Sequence, residues 1–164
     1  MSYRIESIVV VAIVLGLLSP AAQALEPIDF TQYASCTSTP ASDDKEFRFA
    51  SFECLGITRS NQENKIFENM SVLEVGVARH AGGQSTIYSL AKYTDLDGDY
   101  VVMEFSESAP SDRVEGTWKT LYGTGKWKGI KGSGKHMHVG RGKLVKPGTL
   151  QGYVRNTGTF ELPK

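Results

Sequence analysis

The 164-residue chain carries no net charge, with 18 lysines and arginines against 18 aspartates and glutamates. Without an excess of either sign there is no global attraction to nucleic acid or to a membrane surface. Beyond residue 25 no apolar stripe with the 3.6-residue helical period is present, which argues against an α-helical domain. The single long apolar run, Ile8–Leu18, has 11 residues, well short of the roughly 20 that a membrane helix needs. Repeats of solenoid length are missing. So are a Gly-x-Ser-x-Gly elbow, a paired Cys and His, and an acid pair at fixed spacing, which leaves hydrolase readings without support. The length is that of one domain, excluding a multidomain enzyme and a bundle of membrane spans.

What the first segment does have is the layout of an export signal. Ile8–Leu18 is broken by Ser19-Pro20, and Ala22-Gln23-Ala24 then supplies small residues at the cleavage-determining positions. The expectation is a signal peptide over 1–24 and one domain over 25–164, placed in the periplasm or outside the cell. An uncleaved anchor is the alternative. Export changes how the two cysteines read. In an oxidising compartment Cys36 and Cys54 are expected to form one disulfide, with two buried thiols as the alternative. Their spacing, without nearby paired ligands, argues against zinc.

The mature chain is punctuated for strands. Period-two alternation recurs around Phe47–Phe52, Leu73–Ala78, Ile87–Tyr93, Tyr100–Phe105, Thr117–Tyr122, His136–Val139 and Leu150–Arg155. Between these runs stand Ala81-Gly82-Gly83-Gln84, Asp95-Leu96-Asp97-Gly98-Asp99, Ala109-Pro110-Ser111-Asp112 and Lys146-Pro147-Gly148. Seven short strands at this spacing predict an antiparallel all-β domain, sandwich or barrel, and Gly56–Ile66 reads as a long loop. Charge is balanced in sum only. Leu25–Glu115 holds 16 acids and 7 bases, and Gly116–Lys164 holds 1 acid and 10 bases. Acidic strands lying beside basic strands account for this, with a basic face for an anionic ligand as the sharper alternative.

The segment Gly116-Thr117-Trp118-Lys119 through Gly123-Thr124-Gly125-Lys126-Trp127-Lys128-Gly129-Ile130-Lys131-Gly132 resembles the Gly-Thr-Gly-x-aromatic-x-Gly-x-x-Gly turn of the allene oxide cyclase-like and dirigent-like β-barrels. The Asp95–Tyr100 hairpin before it and Gly152-Tyr153 after it fall in the order those barrels use. The resemblance covers about the C-terminal two-thirds of the mature chain. It implies a small closed antiparallel β-barrel of about eight strands, often a homo-oligomer, with an aromatic residue at the barrel end. It further implies a cavity for a small apolar or aromatic molecule, which the cyclase members isomerise. The catalytic residues of the plant cyclases and the acidic pattern of dirigent proteins have no match here.

Candidate site residues follow from the strand faces. Glu104 shares a face with Tyr100 and Val102. Facing inward it would be a carboxylate in an apolar cavity, able to act as acid or base. Val101, Met103 and Phe105 compete for that interior. Tyr88, Tyr93, Trp118 and Tyr122 are candidate cavity liners or core residues. His136 and His138 share one strand face, and His136 is the second catalytic candidate. His80 could complete a metal site with the pair, but the sequence specifies no third ligand, so neither metal nor cofactor is assigned. Asp95–Asp99 departs from the calcium-loop order and reads as a hairpin. Gly129–Lys135 fits the start of a P-loop, yet His136 stands where Ser or Thr belongs and no helix follows, which excludes nucleotide hydrolysis. Three functions remain: a barrel binding a small, largely apolar ligand, an isomerase, cyclase or lyase in the same cavity, and a structural or surface-interaction protein.

Overall fold

The computed structural model describes residues 25–44, 46–110 and 115–162, so the expected signal peptide, 1–24, lies outside the described residues. Eight strands follow in order: β1 (Leu25–Asp43), β2 (Phe47–Ser60), β3 (Ser71–Ala81), β4 (Gln84–Thr94), β5 (Tyr100–Pro110), β6 (Glu115–Gly123), β7 (Lys131–Arg141) and β8 (Thr149–Glu161). Each pairs antiparallel with the next, and β1 also pairs with β8, which closes the sheet into a barrel. A closed barrel, not a sandwich, is therefore the architecture. Among the described residues no helix is long and apolar enough to cross a membrane.

Two stretches differ from the sequence reading. Leu25–Asp43, assigned no strand from the sequence, is the longest strand of all. Its first half alternates, with Ile28, Phe30 and Gln32 buried, but its second half is Ser, Thr, Ala and Pro and shows no hydrophobic contrast. Gly56–Ile66 is not one loop, because β2 continues to Ser60. The inward position there is Thr58, a fully buried polar residue that gives no apolar signal. Its backbone exchanges hydrogen bonds with Met70 (3.0 Å) and Asn69 (3.0 Å), tying down the segment that follows.

That segment closes one end of the barrel. Phe67 is 1% exposed and lies against four rings: Phe30 at 4.7 Å, Phe160 at 5.2 Å, Tyr93 at 5.3 Å and Trp127 at 5.8 Å between centroids. Lys65, Phe67 and Asn69 all have positive φ (54°, 61° and 56°). Such backbone costs on the order of 1–2 kcal/mol per residue, so the burial of Phe67 holds a strained segment in place. Trp127, the aromatic of the glycine-rich turn, backs this plug. Its indole N–H donates to Asp95 Oδ2 at 2.8 Å, and Lys126 pairs with the same carboxylate at 2.9 Å. Asp95 also accepts from the backbone N–H groups of Asp97 and Asp99, the geometry of a hairpin turn whose Gly98 has φ 90°.

Cross-strand ion pairs join the acidic and basic halves at two seams. Lys119 of β6 meets Glu104 of β5 at 2.8 Å, and Arg155 of β8 meets Asp29 of β1 through Nε at 2.9 Å. Acid thus meets base where the early strands border the late ones, at β5–β6 and β8–β1.

Cys36 and Cys54 are opposite one another on β1 and β2 and form a disulfide. With a sequence separation of 18, loop closure contributes roughly 3 kcal/mol. Replacing both cysteines by serine should lower the unfolding free energy by about that amount in a urea melt, and the oxidised native protein should show no titratable thiol once denatured. Phe67→Ala should cost roughly 3–5 kcal/mol. A loss under 1 kcal/mol would mean that the 61–70 segment does not plug the barrel.

Candidate functional site

The barrel interior has two halves. From Phe67 to Trp118 and Phe105 it is packed with side chains. Beyond them lies a cavity of about 450 Å³, reached from the opposite end. Its walls are largely apolar: Phe52, Ala78, Ile87, Val154 and the Cys36–Cys54 disulfide. Its floor is polar, and two hydrogen-bonded groups make it.

The first group is a chain of neutral and acidic side chains. The Tyr93 hydroxyl donates to Gln32 Oε1 at 2.7 Å, Gln32 Nε2 donates to Glu74 Oε2 at 2.9 Å, and the Ser89 hydroxyl donates to Glu74 Oε1 at 2.7 Å. Burial pushes the Tyr93 phenol well above its ordinary range, and the Glu74 carboxylate adds to it. Tyr93 is therefore a donor here and not an acid.

The second group follows from strand register. Glu107 of β5 lies opposite Gly116 of β6, Gly116 opposite His136 of β7, and His136 opposite Asn156 of β8. Glu107 and His136 are each two strands apart, so a side chain at the intervening position would separate them. Gly116 has none: a Cβ there would stand 2.6 Å from Glu107 Cγ and 2.4 Å from the Ser106 carbonyl oxygen. Across this gap Glu107 Oε1 meets His136 Nε2 at 2.8 Å, with both side chains 4% exposed. His136 Nδ1 meets Asn156 Oδ1 at 2.8 Å. His138, two residues along β7 and half-exposed, stands with Nε2 3.6 Å from Glu107 Oε2. Burial pushes the Glu107 carboxyl up, but the hydrogen bond from His136 and the proximity of both imidazoles outweigh it and hold it at about 2. Burial pulls His136 down, and the hydrogen bond and charge of Glu107 more than reverse this. Each partner thus favours the charged form of the other.

Of the residues singled out from the sequence, His136 and His138 reach this floor, and Tyr93 supports it from below through Gln32. Glu104 faces outward, correcting the expectation of an interior carboxylate. On β5 it is Val101, Met103, Phe105 and Glu107 that are buried. Glu104 instead pairs with Lys119 and accepts from the Tyr88 hydroxyl at 3.1 Å, and these partners hold its carboxyl below its ordinary range, the reverse of an apolar burial. Tyr88 is likewise outside, because Ser85, Ser89, Ala91 and Tyr93 take the buried positions of β4. Tyr122 shares Trp118's parity yet is 57% exposed. A register shift between β5 Val102 and Met103 leaves Leu121 as an extra residue on β6, so the alternation breaks there. Tyr93 and Trp118 do point inward but are packed into the aromatic half, where Trp118 Nε1 donates to the Lys135 carbonyl at 3.1 Å. His80 hydrogen-bonds Ser85 at 2.7 Å and is not part of the group formed by Glu107, His136 and His138.

Glu107, Gln32, Glu74 and Asn156 were missed. Glu107 was readable, since it continues the Val101, Met103, Phe105 phase by one step. Gln32 likewise continues the Ile28, Phe30 phase, on a strand not assigned from the sequence, whereas Asn156 carries no such signal. Comparison with known proteins finds neither a family model nor a curated protein that matches the chain.

Gly116→Ala should force Glu107 away from His136 and strain β6 against the Ser106 carbonyl. The expected loss is about 1–3 kcal/mol in a denaturant melt, with altered His136 ring resonances in the NMR spectrum. Unchanged stability and an unchanged His136 environment would contradict the register.

Proposed function

We propose that this protein is a small-molecule-binding barrel that holds one small, largely apolar ligand in the cavity opposite the Phe67 plug. The observation that carries the reading is the cavity itself: about 450 Å³ inside a closed barrel, with apolar walls and a polar floor. Such a lining favours an aromatic or aliphatic body lying against Phe52, Ile87 and the disulfide, with a polar end directed at Gln32, Glu107 and His136. Barrel closure leaves the end between the β1–β2, β3–β4 and β7–β8 connections as the way in. The disulfide suits an oxidising compartment, so the export signal and a periplasmic or extracellular place are part of the proposal. The fold class is in keeping with the resemblance to allene oxide cyclase-like and dirigent-like barrels, which we retain as the proposed kinship.

A second reading, an isomerase or cyclase in the same cavity, is favoured by the buried contact of Glu107 with His136 at the floor. In that reading His136 and Glu107 touch the substrate, and Glu104, on the outside, takes no part.

The neutral fluorophore N-phenyl-1-naphthylamine tests the binding reading. It should bind saturably, one per chain, with enhanced emission. Ala78→Trp, which fills the cavity from β3, should weaken binding at least tenfold while leaving the melting temperature within a few degrees. Binding that is unsaturable, or unaffected by Ala78→Trp, would refute the proposal.

A further inference from the structure

We propose that Glu107, His136 and His138 form a binding site for a divalent transition metal of the zinc class, open toward the cavity. One ligand atom of each residue lies within 4.8 Å of those of the other two. Two imidazole nitrogens and one carboxylate oxygen are a donor set suited to such an ion, and three protein ligands leave at least one coordination position free.

Local structure supplies each part. His136 and His138 alternate by two on β7, so both rings reach the same side of the strand, 5.3 Å apart between centroids. Glu107 arrives from β5 across the missing side chain of Gly116. The three side chains converge closely enough for one ion to reach an atom of each. For bonds of about 2.0–2.1 Å in a tetrahedral site, ligand atoms stand roughly 3.3 Å apart. Here His136 Nε2 is 2.8 Å from one Glu107 oxygen and His138 Nε2 is 3.6 Å from the other.

Two further observations point the same way. Glu107 Oε2 is buried and has no hydrogen-bond partner, a costly state for a carboxylate oxygen. A cation between it and the histidines would satisfy it. On the far side of His136, Nδ1 is held by Asn156 Oδ1 at 2.8 Å. That contact keeps Nδ1 as a donor to Asn156 and turns Nε2 toward Glu107 and His138, so that Nε2 binds the ion on giving up its proton, the outer-shell arrangement that orients metal-bound histidines. The open position faces the cavity, where a water molecule or the polar end of a bound molecule could complete the coordination. The site lies on the floor of the proposed ligand cavity, but its existence does not depend on that reading.

The test uses Co²⁺ as the probe, with Zn²⁺ in competition, on the disulfide-bonded protein freed of metal with a chelator. One Co²⁺ per chain should bind with the visible d–d absorption of a four- or five-coordinate ion, and one equivalent of Zn²⁺ should displace it. His138→Ala is the decisive variant, because this side chain is half-exposed and its loss leaves the core intact. It should weaken Co²⁺ binding at least 100-fold with an unchanged circular dichroism spectrum. Glu107→Gln should do the same, and Asn156→Ala should weaken binding about tenfold. Co²⁺ binding weaker than millimolar in the unaltered protein, or equally tight in His138→Ala, would overturn the proposal and leave Glu107 and His136 as a buried ion pair alone. N-phenyl-1-naphthylamine binding measured on the same metal-free protein keeps a failure here distinguishable from a failure of the ligand cavity.

Discussion

The pairing of β1 with two partners is the constraint on which the rest depends. Its residues Phe30–Asp43 bond to β2 while Leu25–Thr37 bond to β8. The two ladders overlap over eight positions, Phe30–Thr37, where the strand is bonded on both sides. Without them the sheet would end in two exposed edges, a liability for a small β protein. With them the interior is a fixed volume that every inward side chain must share. The disulfide sits at the cavity end of this overlap, where Ser, Thr and Ala residues offer little apolar contact. Covalent attachment there substitutes for packing.

Closure also explains why the barrel is full at one end and hollow at the other. The packed half needs space for large rings, and small residues on β7 and β8 provide it. Gly134 and Gly158 lie opposite one another, and a Cβ on either would stand 2.6 Å from Trp118 Cζ2. Gly132 gives Phe160 the same freedom, with a would-be Cβ 2.0 Å from its ring. Two indoles, a phenol and four phenyl rings then share contacts of the offset and edge-to-face kinds, which add to simple area burial. At the cavity end the inward residues are mostly Ala, Ser, Cys and Gly, with few large side chains to reach the axis. The polar floor lies at the boundary, where buried donors and acceptors satisfy one another across strands distant in sequence.

Much of the fold was legible in the sequence, and the reasons for the exceptions are physical. Alternation located seven of the eight strands, and on β5 it correctly set Val101, Met103 and Phe105 against Glu104, leaving only the choice of side. On β3 that choice goes against hydrophobicity. Leu73, Val75 and Val77 are more apolar than Glu74, Gly76 and Ala78, yet Leu73, Val75 and Val77 are the exposed set. With Leu55 and Leu90 beside them they make an apolar outer face on β2–β4, so the usual rule of apolar residues inside gives the wrong answer. The interior of those strands is decided by what fits within a closed ring. Gly76 is required there because a Cβ would stand 2.6 Å from both Phe52 and Ser89.

The candidate site was hidden for a related reason. Its residues come from β1, β3, β4, β5, β7 and β8, and of them only His136 and His138 stand close together in the sequence. Seen alone, that pair lacked a third partner, and His80 was the only histidine left to supply one. Closure supplies it from an acid instead. Counting inward positions along β5 reaches Glu107, and counting ladder pairs from β5 through β6 to β7 reaches His136 with a glycine between. Neither count is possible until the register is known, because a one-residue slip turns every side chain to the other face. The bulge at Leu121 shows how little it takes: past that residue the alternation of β6 no longer predicts the side, and Tyr122 stands in solvent. Glu107 and Trp118 lie on the cavity side of the bulge, where the ladder runs unbroken from Met103 to Glu107. The geometry of the polar floor therefore rests on five consecutive β5–β6 pairs, and Gly116 is the last of them.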